Sequence, residues 1–264
     1  MLNIQKVLAP NPSVYTGPGT NTYLLGSVGE MAIIDPGPID SSHRDAIDEA
    51  VGDTAVRFVL VTHTHSDHAP LANPLAHHYG VPAVGFAPGP GFVPDEAVVD
   101  GDTLVIGESD LQVLFTPGHS DDHVCFLADR ILFTGDHIMG GSTVMVSDLT
   151  KYLASLEKLK GVAISRMMPG HGPEIDDPSG VIDHYISHRL EREQEVLMAL
   201  RRGAGSVGSI VTEIYKEVDT ALHPLAAFSV AAHLRKLVDD NRIEFHEQDA
   251  DELWDALVTL VSGA

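Results

Sequence analysis

Apolar residues form short continuous or alternating runs through the first two thirds of the chain and recur at helical spacing through the last third. Tyr-Leu-Leu and Ala-Ile-Ile runs flank a turn at Gly26 to Glu30, which predicts a hairpin from Tyr23 to Ile34 ending in Asp35-Pro36-Gly37. A helix is expected next, with Ser42 as its cap, Asp45 three residues on and Gly52 as its stop. Phe58 to Val61 then reads as a strand that delivers the chain into Thr62-His63-Thr64-His65-Ser66-Asp67-His68. After a helix ending at Tyr79-Gly80 and a Pro/Gly-rich loop from Ala87 to Pro94, strands are expected at Thr103 to Ile106, Leu111 to Phe115, Val124 to Leu127 and Ile131 to Phe133.

A helix from an Asp148 cap to Gly161 and a strand from Ala163 to Met168 complete the pattern before Pro169-Gly170-His171-Gly172. The fold class is therefore α/β, with two sheets facing each other and helices covering each on its outside. Asp177 and Pro178 open a long helix that reaches Arg202 before Gly203, and the domain boundary is placed there. This gives an αββα domain over 1–177, a connecting helix over 178–203 and a winged-helix-like domain over 204–264. In the last, Val207 to Val218 and Leu225 to Val238 have helical spacing and Arg242 to His246 alternates as a short strand. A closing helix is expected from Ala250 to Val261.

Length changes this picture little, since 264 residues with 44% hydrophobic content can bury a large core plus a small appended one. The single Cys125 excludes an internal disulfide and a Cys-rich zinc site, and points to a reducing compartment. Met1 to Val14 has no signal-peptide run, and no apolar stretch reaches the roughly 18 residues of a membrane helix. A soluble, cytoplasmic chain with no membrane partner is the expectation. The net charge of −22 opposes polyanionic substrates. Asp239 and Asp240 in the expected recognition helix, with few basic residues around them, argue against double-stranded DNA as a partner. Homodimer formation or closure of a substrate pocket is the more ordinary use of that module.

Candidate chemistry begins with the 15 histidines. His63 and His65, two apart at the expected end of a strand, would leave one face of the sheet together. Asp67 and His68 follow where the chain reverses. Three further ligand-bearing turns come in order: Thr116-Pro117-Gly118-His119, Thr134-Gly135-Asp136 and Pro169-Gly170-His171-Gly172. Each is weak alone. Together they supply one ion with His63, His65 and His119, a second with Asp67, His68 and His171, and a bridge in Asp136. Imidazole and carboxylate suit zinc, and also manganese or iron.

These motifs in this order resemble the metallo-β-lactamase superfamily, and the resemblance implies its αββα fold and this ligand set. Gly19 to Tyr23, Thr116 to His123, Tyr185-Ile186-Ser187-His188-Arg189 and the Ile214 to Lys216 region are similar to the endoribonuclease-type β-lactamase-like protein 2 family, over nearly the whole chain. The expected cofactor is two Zn²⁺ per chain. Ions about 3.5–4 Å apart bring a bridging water toward neutral pKa and act as a Lewis acid. Asp67 is the candidate to orient the resulting hydroxide. Tyr185, His188 and His137 are candidates to protonate a leaving group, and His123 is expected to back His119.

The resemblance implies single-stranded RNA as substrate. The alternative is a small-molecule ester or thioester, as in glyoxalase II and related thioesterases, which the acidic charge favours. A β-lactamase is less expected because Asp136 stands where those enzymes resemble each other in having Cys or Ser. An iron-dependent dioxygenase or flavo-diiron reading is also weaker, because the site reads as dinuclear and His65 is intact.

Overall fold

A computed structural model describes residues 2–141, 143–247 and 252–261. The first sheet contains β1 (Asn3–Leu8), β2 (Asn21–Ser27), β3 (Glu30–Ile34), β4 (Ala55–Leu60), β5 (Ala83–Gly85) and β6 (Glu96–Ala97), in that spatial order. The hairpin pairs Tyr23 with Ile34 antiparallel, whereas β3, β4, β5 and β6 run parallel. The second sheet contains β7 (Thr103–Ile106), β8 (Ser109–Phe115), β9 (Val124–Ala128), β10 (Ile131–Gly135) and β11 (Arg166–Pro169), in the order β11-β10-β9-β8-β7.

Period-two alternation sends Tyr23, Leu25, Ile34 and Leu60 from the first sheet against Val113, Val124, Phe126 and Phe133 from the second, and these form the central core. Their neighbours Leu24, Ile33 and Val59 point outward onto Ile47 and Val51 of α1 (Ser41–Val51) and Leu75 of α2 (Ala72–Tyr79). On the far side Cys125, Leu132 and Met167 meet Tyr152, Leu156 and Leu159 of α3 (Leu149–Lys160) and Ile182 of α4 (Pro178–Arg201). Strands buried on both faces have to be apolar at successive positions, which is why they read as continuous runs. The result is the expected αββα sandwich.

The last residues of α4, Val196, Leu197 and Leu200, belong to a separate core. It includes α5 (Val207–Ile214), α6 (His223–Asp239), β12 (Ile243–His246) and β13 (Leu257–Leu260). The closing helix expected over Ala250 to Val261 is not formed. Ala250 and Asp251 lie outside the described residues, Leu253–Asp255 makes a single 3₁₀ turn, and Leu257–Leu260 pairs antiparallel with β12. Val258 is buried while Leu257 and Thr259 are exposed, so the period there is two, and β12 supplies the ladder partner that decides it.

Three smaller corrections concern local chemistry. Asp40, not Ser42, caps α1: its backbone is extended and its carboxylate accepts the His43 N–H at 2.8 Å. α5 stops at Ile214 rather than Val218. β5 and β6 are too short to show a periodicity of their own, and β1, an edge strand with no buried residue, has no apolar run to announce it. Asp148, Asp177 and Ser206 cap α3, α4 and α5 through their side chains. No helix among the described residues is long and apolar enough to cross a membrane.

Candidate metal centre

β4 ends at Leu60, so His63 and His65 lie in the loop beyond the strand and not on it. What orients them is a set of loop hydrogen bonds rather than strand alternation. Asp35, just past β3, accepts the Thr62 N–H at 2.8 Å with Oδ1 and the Thr62 hydroxyl at 2.7 Å with Oδ2. The Thr62 carbonyl accepts the Val124 N–H from the other sheet at 2.8 Å, and Asp122 accepts the Thr64 N–H at 2.9 Å. The loop therefore joins the ends of both sheets. The His65 carbonyl then accepts the N–H groups of His68 and Ala69, turning the chain so that Asp67 and His68 face back.

Two groups of donor atoms converge there. His63 Nε2 and His119 Nε2 each lie 2.9 Å from His65 Nδ1. His171 Nε2 lies 3.2 Å from His68 Nε2 and 3.1 Å from Asp67 Oδ2. Asp136 stands between the groups: Oδ1 is 3.3 Å from His68 Nε2 and 3.4 Å from His171 Nε2, and Oδ2 is 3.7 Å from His119 Nε2. His63, His65, His119 and Asp136 thus form one set and Asp67, His68 and His171 the other.

The outer ring nitrogens fix the tautomers. His68 Nδ1 donates to Asp35 Oδ2 at 2.9 Å, His119 Nδ1 to the Met145 carbonyl at 2.6 Å, and His171 Nδ1 to the Gly19 carbonyl at 3.2 Å. Each leaves an Nε2 lone pair aimed inward, the arrangement that holds a ligating imidazole in place. His68 and His171 turn Nε2 toward Nε2 at 3.2 Å, where two neutral rings would repel, and Asp136 Oδ1 is buried with no hydrogen-bond partner. A cation in each group would resolve both conditions, so the cluster is compatible with a dinuclear metal site.

The titration pattern of these groups agrees. Burial lowers the pKa of His68, but Asp136 and Asp35 outweigh it and hold the ring well above its ordinary value. Burial also disfavours an ionised Asp136, yet His68 and His171 keep its carboxyl well below the carboxylate range. His63 is held neutral by burial and by its histidine neighbours. Behind them, His123 accepts the Asp136 N–H with Nε2 at 3.2 Å and packs 6.0 Å from the His119 ring. Glycine at 170 is required by space, since a Cβ there would stand 2.7 Å from both Asp136 Oδ1 and His68 Cε1.

The candidate acids are placed differently. The Tyr185 hydroxyl donates to the Met139 carbonyl at 3.1 Å and accepts the Met139 N–H at 3.3 Å, so it holds the segment after Asp136 in place. His137 is fully buried against Tyr152, and burial drives it down to about 3. His188 lines a neighbouring cavity and is held below its ordinary value by burial and by Arg189. Asn21, expected only as part of the Gly19 to Tyr23 stretch, has a role of its own. Its side-chain amide donates to the carbonyls of Pro169 and Gly172, both at 2.9 Å, and clamps the His171 turn from 148 and 151 residues away. Only the fold brings those segments together.

Residues 15–171 match the model of the metallo-beta-lactamase superfamily, and residues 206–254 match the beta-lactamase associated winged helix domain. The chain belongs to the metallo-beta-lactamase superfamily, whose members are metal-dependent hydrolases, and it carries the winged helix domain associated with it. Within that class it is 31% identical over 275 residues to the beta-lactamase-like protein 2 homolog of Drosophila melanogaster, covering 96% of this chain and 93% of the relative. It is also 29% identical over 269 residues to the atrochrysone carboxyl ACP thioesterase dmxR1 of Cryptosporiopsis, covering 94% and 84% respectively. A beta-lactamase domain protein from Burkholderia ambifaria shares the fold, with a TM-score of 0.82 at 22% identity over 98% of this chain and 91% of that one.

Proposed function

We propose that the seven clustered residues hold two divalent ions, zinc foremost with manganese or iron also suited to the donors, and that the chain hydrolyses small-molecule acyl thioesters. Ions bound there would supply a nucleophilic water at neutral pH and Lewis acidity toward the substrate's carbonyl oxygen. His63, His65 and His119 would hold one ion, Asp67, His68 and His171 the other, with Asp136 between them. Burial raises the pKa of Asp67, but its hydrogen bond from His171 and the neighbouring His68 more than offset this and keep it ionised. It would orient the attacking water by accepting a hydrogen bond from it.

The observation that carries the thioester reading is the state of the three candidate acids. Tyr185 is engaged with the Met139 backbone, His137 is held neutral with a pKa of about 3, and His188 is held below its ordinary value. A thiolate leaves without a proton, whereas an alcohol or ribose oxygen benefits from one. Surface charge agrees: among the described residues, nine of the 16 Lys and Arg side chains, from Arg44 to Lys236, already pair with carboxylates. That leaves little cationic surface for a phosphate backbone. Similarity to the beta-lactamase-like protein 2 homolog favours the second reading, cleavage of single-stranded RNA.

Elemental analysis of the purified protein, with turnover of an acyl-thioester panel and of a single-stranded RNA on the same sample, decides between them. Two zinc per chain with thioester turnover, lost in His63→Ala, is the expected result. RNA cleavage with no thioester turnover overturns the substrate assignment, and iron with oxygen uptake overturns the hydrolysis.

A further inference from the structure

Beside the metal centre, α4 carries a second chemical feature. A cavity of about 420 Å³ is lined by Met139, Ile175 and Val181 on its apolar side and by His184, His188 and Arg189 on its polar side. That volume suits a small-molecule site. The cavity shares a wall with the centre: Met139 comes three residues after Asp136, and the Gly140 N–H donates to the His171 carbonyl at 3.1 Å.

Arg189 is only 5% exposed. One of its Nη groups donates to the Val144 carbonyl, and the guanidinium lies 5.5 Å from the centroid of the Tyr152 ring. Its Nε is buried with no hydrogen-bond partner, and among the described residues no carboxylate pairs with it. Glu193, one helical turn along, is taken by Lys236 at 2.8 Å. A guanidinium removed from water without a counter-charge is strongly unfavourable, and its planar fork of donors matches a carboxylate. His184 and His188, with ring centroids 6.1 Å apart, extend the polar wall from the buried Arg189 out to solvent. An apolar wall facing a buried cation selects a ligand with both characters.

We propose that this cavity is the acyl subsite of the enzyme and receives an amphipathic anion, an apolar body whose terminal carboxylate pairs with Arg189. The acyl role rests on the thioester reading, but the anion site stands on the cavity itself. The test is a ¹⁹F NMR titration of the purified, metal-containing protein with 4-fluorobenzoate and the neutral 4-fluorobenzamide, while the Met139 methyl resonance reports where the probe sits. The benzoate is expected to bind more tightly than the amide and to shift the Met139 methyl. Arg189→Gln should weaken benzoate about 10–100-fold, the loss of a charge-assisted hydrogen bond.

Where Arg189→Gln does not fold, His188→Ala gives the second reading, with a several-fold loss expected. Equal binding of the two probes, an unmoved Met139 methyl, or unchanged affinity in a folded variant overturns the proposal. Benzoate binding retained without any thioester turnover leaves the anion site standing and removes the thioester reading, so the two failures are distinct.

Discussion

His68 and Asp35, 33 residues apart in the chain, meet at 2.9 Å through Nδ1 and Oδ2 with both side chains buried. The same carboxylate holds the backbone and hydroxyl of Thr62, so one residue sets the position of a donor in each group: His68 directly, and His63 through its neighbour in the chain. Asp35 sits at φ 50, a conformation that Asp and Asn tolerate better than other side chains.

Asp35→Asn should therefore keep the backbone and lose the charge behind His68. Metal affinity is expected to drop about 10–100-fold, the usual effect of removing such a support. Competition against a fluorescent chelator measures it, and an affinity equal to the wild type would remove Asp35 from the metal centre.

His171 gives a pH dependence whose sign can be worked out. Burial lowers its pKa, but the Asp136 and Asp67 carboxylates beside its Nε2 prevail and raise it from 6.5 to about 9 in the metal-free protein. The folded state then favours the protonated ring. Its contribution to stability is complete below pH 6.5 and is lost as pH rises through about 9. Metal must displace that proton, so metal affinity increases over the same window. The melting temperature of chelator-treated protein should fall across it and that of loaded protein should not. A metal-free melting temperature that rises instead contradicts the assignment.

Gly170→Ala would press a methyl group against Asp136 Oδ1 and His68 Cε1, each 2.7 Å from the built Cβ. Both neighbours are buried and cannot swing clear, so overpacking of roughly 1–3 kcal/mol is expected, together with displacement of the Asp136 carboxylate. Thermal melting and metal content should fall together. Unaltered metal content would show that the centre tolerates the shift.

Gly208 lies in α5 against the indole of Trp254, and a Cβ there would overlap the Nε1 edge. Alanine gains about 1 kcal/mol of helix propensity, but the clash, about 1–3 kcal/mol, should prevail. Gly208→Ala is expected to shift Trp254 fluorescence and lower the melting temperature while leaving metal content unchanged. A more stable variant would mean that the indole moves aside freely.

The sequence by itself determined the elements whose cause is local. Asp148, Asp177 and Pro178 mark helix starts because capping acts within one turn, and doubly buried strands announce themselves as apolar runs. The seven grouped residues were equally legible, since His, Asp and Gly occur there in compact motifs that have few structural uses. Tertiary structure decided what depends on partners distant in the chain. Leu257–Leu260 became a strand because β12 offered a ladder, and His63 was oriented by Asp35 and Thr62 rather than by a strand face. Asn21, Tyr185 and Arg189 took their roles from the segments packed against them. No local pattern encodes such roles, because the energy of a buried hydrogen bond or an unpaired charge exists only after the fold has removed water from it.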